Sequence, residues 1–395
     1  MTDVDLIVRV AARGEGVTAD GRYVPLAAPG DRLAATGEVI PGPSHAVPPC
    51  RHFPTCGGCT LQHLDDAAYA RFLADRVTGA LAAQGLPAPD LAPAHISPPR
   101  SRRRTSLRAE RKGAKLLIGF NEGSSHRIVD MAECHILDPS LFALVAPLRA
   151  LLRPMVADRR SAGIRMTVAD QGIDLLLDKV EADGLAAAEA LTAFAEKHHL
   201  ARLVIDDGYG PQTRWEPQPV TITLGGTPVP LPVDAFLQAT PDGENALTAA
   251  MLNAVGDAPI VADLFAGLGT FALSLPQGRR IYAAEASRDA VLALKAATQR
   301  VAVDHRDLYR RPLTTAELDR FDAVILDPPR AGAADQITQL AASKTPRVAY
   351  ISCNPSSFAR DTKILVEAGY RLDRITPVGQ FRWSTHVELC AAFSR

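Results

Sequence analysis

From about residue 236 onward the chain alternates helical and strand patterns at lengths that suit a sheet wrapped by helices. A helix pattern near Glu244–Val255 precedes the apolar run Ile260–Leu264, which opens into Phe265-Ala266-Gly267-Leu268-Gly269-Thr270. Ile281–Ala284 ends at Glu285 and leads into a helix pattern over Ser287–Thr298. Ala323–Leu326 ends at Asp327-Pro328-Pro329-Arg330, and Ala334–Ala342 reads as the next helix. Val348–Ile351 runs into Ser352-Cys353-Asn354-Pro355 ahead of a helix over Ser356–Ala368. Strands alternating with helices of this length predict a parallel, doubly wound α/β sheet. Sheets of that kind hold ligands at the carboxyl ends of their strands. Each of these strands ends in residues able to do chemistry.

Cys353 follows a buried strand, and the Asn-Pro after it breaks strand and helix alike. A free Cys is often only a small buried hydrophobe, so its neighbours decide its meaning. The Gly-x-Gly turn permits close approach of backbone to a ligand. Glu285, one strand later, is placed to bind ribose hydroxyls. Ala272 occupies the third glycine position of the dinucleotide fingerprint, a variant that the fingerprint tolerates. A nicotinamide or flavin dinucleotide and an adenosyl ligand without pyrophosphate therefore both remain open. Asp327-Pro328-Pro329-Arg330 makes a rigid loop beside any such ligand. Taken alone, it is a turn with a surface Asp, and His386-Val387-Glu388-Leu389 is a strand with a buried Glu.

Ahead of this region lie two others. Close-spaced short strands with Gly and Pro turns over residues 4–40 predict a small β-barrel, ended by the Pro41-Gly42-Pro43-Ser44 linker. A helix is expected from Asp65 to Gln84. A Pro-rich link then leads to the densest positive charge, Arg100 to Lys112, where strand patterns put the arginines on one face of a sheet suited to phosphate contacts. Strands near Ile164–Val168, Ile173–Leu177, Leu203–Ile205 and Val220–Leu224, with one helix over Gly184–His198, make residues 45–235 an α+β middle domain. The expected division is thus residues 1–44, 45–235 and 236–395.

Composition narrows the class. With 47% hydrophobic and 22% charged residues in 395, this is ordinary globular composition, long enough for two or three domains. No apolar run approaches a membrane span. Met1-Thr2-Asp3-Val4-Asp5 lacks a basic segment followed by an apolar core, so no secretory leader and a cytoplasmic location are expected. The net charge of −1 means that any nucleic-acid partner must be met by local patches. In a chain of this kind the clustered cysteines are expected to bind metal or act in catalysis, not to form disulfides.

Phe236-Leu237-Gln238, the glycine turn, Glu285, Asp327-Pro328-Pro329-Arg330, Ser352-Cys353-Asn354-Pro355 and His386-Val387-Glu388 occur in this order. The series resembles the S-adenosylmethionine-dependent RNA uracil-5-methyltransferases. Cys50, Cys56 and Cys59, followed by Thr60-Leu61-Gln62-His63-Leu64 and later by Cys134, look like the iron–sulfur segment of the ribosomal-RNA branch of that family. The first forty residues look like its N-terminal TRAM barrel, which is OB-like. The resemblance covers nearly the whole chain. It implies a Rossmann-like class I methyltransferase sheet at the C-terminus, with Cys353 as nucleophile and Glu388 as base. Gln238, Phe265, Thr270, Glu285, Asp307 and Asp327 would line the cofactor or the target base. The four-cysteine set alone leaves zinc and an iron–sulfur cluster open; the resemblance implies a 4Fe–4S cluster. Thr240, Gly379 and Arg382 depart from the family pattern, where Asn, Asp and Pro are expected.

The implied chemistry requires these residue types. Carbon 5 of uracil is a poor nucleophile towards a methyl sulfonium. A thiolate added at carbon 6 makes an enolate whose carbon 5 can attack, and a carboxylate then removes the carbon-5 proton. The target uridine must be flipped out or lie in a loop. The implied activity is methylation of a uridine in RNA, most of all 23S ribosomal RNA, with no obligate protein partner called for. Transfer RNA as substrate is a second reading. A non-catalytic RNA-binding iron–sulfur protein is a third, and the pairing of Cys353 with Glu388 speaks against it.

Overall fold

A computed structural model describes residues 5–87 and 89–395. Of the segment read as lacking a leader, Met1–Val4 lies outside the described residues. Strands β1 (Ile7–Val10), β2 (Gly16–Thr18) and β3 (Tyr23–Val24) form an antiparallel sheet, and β4 (Arg32–Leu33) pairs with β5 (Val39–Ile40). A single bridge between Leu6 and Arg32 joins the two small sheets. Asp31, fully buried, fixes the exit from this module: its carboxylate accepts the amides of Ala28 and Gly42, each at 2.7 Å, and contacts His45 Nδ1 at 2.7 Å. Val10 and Ala28 join the apolar core around helix α1 (Asp66–Ala83). Asp65 caps that helix by accepting the Ala68 amide at 2.7 Å.

After α1 the chain makes two short strands, β6 (Asp90–Leu91) and β7 (His95–Ile96), and then a long pair, β8 (Arg104–Lys112) and β9 (Lys115–Gly119). Helices α2 (Pro139–Ala143) and α3 (Val145–Leu152) follow. Next come β10 (Ser161–Ala169), β11 (Gly172–Asp178), α4 (Leu185–Lys197), β12 (Leu200–Asp206) and β13 (Pro211–Trp215). The resulting six-stranded sheet has the order β13-β12-β11-β10-β8-β9. Leu107 and Ala109 of β8, Ile164 and Met166 of β10, and Leu175 and Leu177 of β11 turn to one core, with α3 and α4 packed on it.

The nine-stranded sheet gathers residues from further apart than the sequence suggests. The hairpin β14 (Thr221–Leu224) and β15 (Thr227–Pro230) packs against this last region, its Ile222, Leu224 and Val229 sharing a core with α5 (Pro241–Val255). Then follow β16 (Ile260–Leu264), α6 (Thr270–Ser274), β17 (Arg280–Glu285), α7 (Arg288–Ala297), β18 (Val301–His305) and α8 (Thr315–Leu318). The chain closes with β19 (Ala323–Leu326), α9 (Ala334–Ala342), β20 (Arg347–Ser352), α10 (Pro355–Glu367), β21 (Arg371–Gly379) and β22 (Glu388–Ser394). The sheet order is β18-β17-β16-β19-β20-β22-β21-β6, with β7 also paired to β21. Helix α1 covers one face of it, and Tyr69, Phe72 and Leu73 share a core with Tyr350, Phe358 and Phe393. Helix α1 and strands β6 and β7, expected in the middle region, thus pack on the C-terminal sheet.

One expectation needs correction: the sheet is mixed, not all parallel. β18, β17, β16, β19 and β20 are parallel, but β22 lies antiparallel between β20 and β21. The physical reason is the short link between β21 and β22. A parallel return needs a crossover of a dozen or more residues, whereas residues 380–387 allow only an antiparallel hairpin. This reversal brings the start of β22 to the carboxyl end of β20, with Ser352 paired to Leu389. Among the described residues no helix is long and apolar enough to cross a membrane.

Candidate active site

Cys353 comes directly after β20, and Glu388 is the first residue of β22. Their strands are hydrogen-bonded neighbours, so the antiparallel insertion sets thiol and carboxyl at one sheet edge. Asn354 caps α10 by accepting the Ser356 amide at 3.1 Å, and Pro355 occupies the first helical turn. The Asn354 side chain also donates to the Arg330 carbonyl at 2.8 Å. The Cys353 turn is thereby tied to the Asp327-Pro328-Pro329-Arg330 loop. Both open on a cleft of about 730 Å³ that is also lined by Gln238, Phe265, Thr270, Glu285, Asp307 and Glu388. Every residue named from the sequence for cofactor or catalysis faces this one cleft.

One end of the cleft begins at the glycine turn. Glu285 accepts the Gly267 amide at 2.9 Å and the Ser287 amide at 2.7 Å, which locks the turn to the end of β17. Gly269 has φ of +89°, and a Cβ there would lie 2.6 Å from a Leu294 methyl, so the turn has no room for a side chain. Phe265 adopts φ of +64° without being glycine, a strained conformation of the kind that gathers at ligand sites. Its ring sits 5.5 Å from that of Tyr309, whose hydroxyl donates to the Gly332 carbonyl at 3.0 Å. Asp307 accepts the Tyr309 amide at 3.0 Å.

Burial governs the carboxyls in and behind the cleft. Glu388 is 7% exposed, and burial with the nearby Asp327 charge pushes its carboxyl up to about 8. Burial and Glu285 push Asp327 up to about 7. Behind the turn, Asp263 accepts the Ala272 amide at 2.9 Å, and burial raises it to about 8. The Cys353 thiol is raised to about 11 by burial and by Glu388 and Asp327, with Arg330 pulling the other way.

Gln380 escaped the sequence reading. It is 2% exposed, donates to Gln238 Oε1 at 2.7 Å and accepts the Ala239 amide at 2.8 Å. It also hydrogen-bonds Glu388, while Gln238 Nε2 reaches Asp327 Oδ2 at 3.4 Å. Two buried amides thus link the two titratable carboxyls. A polar residue inside Val378-Gly379-Gln380-Phe381 reads as an ordinary hairpin position, so no sequence signal marks it.

The arginines also need correction. They do not form one exposed phosphate-binding row. Arg103 is 7% exposed, donates to Glu244 at 2.5 Å and to the Gln238 carbonyl at 3.0 Å, and so braces the site from behind. Leaving Glu244 buried without it would cost about 3–5 kcal/mol. Arg104 lies 4.6 Å over the Phe236 ring, and burial drops its guanidinium to about 10. Arg102 lies 5.2 Å over Phe381. Strand alternation turns only Arg108 plainly outward. The reason is that the run enters β8 where it crosses behind the Gln238 loop, so the chain's own carboxylates, carbonyls and rings take up the charge.

Cys50, Cys56, Cys59 and Cys134 line one cavity with Phe120, Met131 and Ile136. Burial raises Cys50, Cys56 and Cys59, the last to about 12, and charge on the neighbouring Cys134 adds to all three. Among the described residues no group of three or more His, Cys, Asp or Glu side chains is gathered as for a single metal ion. The segment reaches the loop between β21 and β22 directly: the Thr60 and Leu61 amides donate to the Trp383 carbonyl at 2.8 and 2.9 Å. Tyr69 adds a hydroxyl bond to the Phe381 carbonyl at 3.1 Å.

The geometry agrees with the relatives of this chain. Residues 247–395 match the family model described as tRNA (uracil-5-)-methyltransferase. An uncharacterized RNA methyltransferase of Zymomonas mobilis is 53% identical, over 98% of this chain and 99% of its own length. A 23S rRNA (uracil(1939)-C(5))-methyltransferase of Thiobacillus denitrificans is 32% identical over 91% of this chain and 88% of its own. The chain belongs to the RNA uracil-5-methyltransferase family. It is an S-adenosylmethionine-dependent enzyme that methylates carbon 5 of uracil in RNA. Its fold is that of the Pyrococcus abyssi tRNA (uracil-54, C5)-methyltransferase solved with S-adenosyl-L-homocysteine, at TM-score 0.74, 22% identity and 98% coverage of both chains.

The departures from the family pattern have local explanations. Thr240 caps α5 by accepting the Gly243 amide at 3.1 Å, the task Asn would perform. A Cβ on Gly379 would lie 2.7 Å from a Leu73 methyl, so an Asp there would have to displace that side chain. Arg382 donates to the Ser97 carbonyl at 3.2 Å and pairs with Asp66, joining the loop between β21 and β22 to α1.

The raised carboxyls give the enzyme a pH signature. Between pH 4 and 8 the folded protein keeps protons on Asp263, Asp327 and Glu388 that an unfolded chain has released. Stability therefore falls as pH rises through that window. The ligand-free enzyme should melt at a lower temperature at pH 9 than at pH 6, as calorimetry can read. An unchanged or higher melting temperature at pH 9 would contradict the shifts.

Proposed function

We propose that this enzyme makes 5-methyluridine in 23S ribosomal RNA, in the cytoplasm, through a covalent bond between Cys353 and carbon 6 of the target uracil. The observation that carries the mechanism is the single cleft shared by Cys353, Glu388 and the glycine turn. S-adenosylmethionine fits its acidic end: Glu285 and Asp327 face a space where a sulfonium cation relieves their mutual repulsion. Gln238, Phe265, Thr270, Glu285, Asp307 and Asp327 would hold it, with Glu285 towards the ribose. When bound, the cofactor supplies a methyl group on a positively charged sulfur.

With the thiol near 11 and Glu388 near 8, the resting site holds its nucleophile protonated. At pH 8 about one thiol in a thousand is ionised. Binding a cation beside Asp327 removes one of the charges that raise it. The Cys353 thiol gives up its proton to solvent, its thiolate adds to carbon 6, and carbon 5 of the resulting enolate takes the methyl group, the broken C–S pair staying on the donor sulfur as a neutral thioether. Glu388, in its ionised fraction, accepts the carbon-5 proton, and the electrons of that C–H bond re-form the 5,6 double bond as the Cys353 sulfur leaves. Gln380 and Gln238 hold Glu388 and Asp327 at fixed spacing throughout.

The ribosomal target rests on the named activity of the Thiobacillus relative and on the extent of the match through the front half. The N-terminal strands are read as a TRAM-like, OB-like barrel that positions RNA. Cys50, Cys56, Cys59 and Cys134 are read as ligands of a 4Fe–4S cluster, because four thiols around one cavity suit a polynuclear centre. Substrate choice is tested by offering purified enzyme unmodified transfer RNA and protein-free ribosomal RNA separately, with labelled methyl donor. Ribosomal RNA should be labelled at one uridine. Labelling of transfer RNA alone would overturn the target and leave the chemistry standing.

A further inference from the structure

A second cleft, of about 660 Å³, adjoins the catalytic one. Phe381 and His386 line both, so the partition between them is a pair of rings 5.6 Å apart, extended by Arg102 lying 5.2 Å over Phe381. Across the second cleft stand Phe120, the outward-facing Ser106 of β8 and the exposed His126. Its one acidic side chain, Glu122, is paired with Arg127 at 3.6 Å. Aromatic rings, a guanidinium plane, imidazoles and hydroxyls are the groups that stack on and hydrogen-bond unpaired bases. A cavity of this size has room for a whole nucleotide, and the glycine turn, Glu285, Asp327, Cys353 and Glu388 line the other cleft and not this one.

We propose that this second cleft is a nucleobase site, which receives a nucleotide flanking the target uridine in the same RNA strand. The inference rests on the RNA reading above and adds to it. A strand whose target base enters the catalytic cleft must carry its neighbour past the Phe381–His386 partition. A wall one ring thick lets successive bases lodge on its two sides and stack against it. Sequence beyond the uridine is then read by the shape and polar groups of the second cleft, and the partition senses both bases.

The test is equilibrium binding of a synthetic RNA hairpin that carries the mapped uridine, with each flanking nucleotide in turn made abasic. For the unaltered enzyme, one flanking lesion should weaken binding about tenfold, as expected when a stacked base is lost. Ser106→Trp fills the cleft from an exposed strand position, so in that variant the same lesion should cost less than twofold. His126→Ala serves as a second variant and should also shrink the penalty. Unchanged S-adenosylmethionine affinity reports that each variant is folded. Absence of a flanking penalty in the unaltered enzyme, or a full penalty in both variants, would overturn the second site. Binding is read without turnover, whereas failure of the intact hairpin to accept labelled methyl groups would instead count against the function proposed above.

Discussion

Replacing Cys353 by Ala should lower methyl transfer by on the order of 10⁴-fold or more, because a covalent route loses its first bond and not merely an orienting contact. Binding of S-adenosylmethionine should persist, since the glycine turn and Glu285 keep their own hydrogen bonds. No adduct with RNA should appear on a denaturing gel. Glu388→Gln separates the two halves of the reaction. Its thiol still adds and carbon 5 still takes the methyl group, but no carboxylate removes the remaining proton. The methylated RNA should therefore stay attached to Cys353, with close to one labelled methyl group per enzyme. Near-normal turnover by the Cys353 variant would rule out the covalent route. Repeated release of free product by the Glu388 variant would give the proton to another base.

The division between what the sequence disclosed and what it hid follows from how far each feature reaches. The glycine turn, Glu285, Asp327 and Cys353 each close a local strand pattern, and strand followed by helix is written in neighbouring residues. Their meeting in one cleft follows from the parallel order of β17, β16, β19 and β20. Glu388 was named from a motif, but its position depends on an antiparallel insertion that is set by a short hairpin and by pairing between strands distant in sequence. The same is true of β6 and β7, two-residue strands too short to carry any periodicity. The arginine run misled for a complementary reason. Charge density is a local property, whereas the partners Glu244, Phe236 and Phe381 come from residues more than a hundred positions away. Gln380 gained its importance in the same manner, from two carboxyls and a second amide brought to it by the sheet.

Removing the proposed cluster should disable the enzyme from a distance. The cysteine segment does not line the catalytic cleft, yet Thr60 and Leu61 hold the Trp383 carbonyl, and Cys59, Cys134, Ile136 and Trp383 pack together. The loop so held carries Phe381 and His386, which line both clefts, and leads into Glu388. Four thiols crowded around a shared cavity, three of them raised by burial, are poorly satisfied without a cationic centre, so the metal-free segment loses the reason for its packing. Protein purified without oxygen should be brown, with iron and sulfide in equal amounts. Cys59→Ser should lose both, melt at a lower temperature and methylate RNA at least tenfold more slowly. Its S-adenosylmethionine affinity should be unchanged, because the glycine turn belongs to a different part of the sheet. A stoichiometric zinc content without sulfide would replace the cluster by a single-ion site. A Cys59→Ser protein with normal iron would remove that residue from the ligand set.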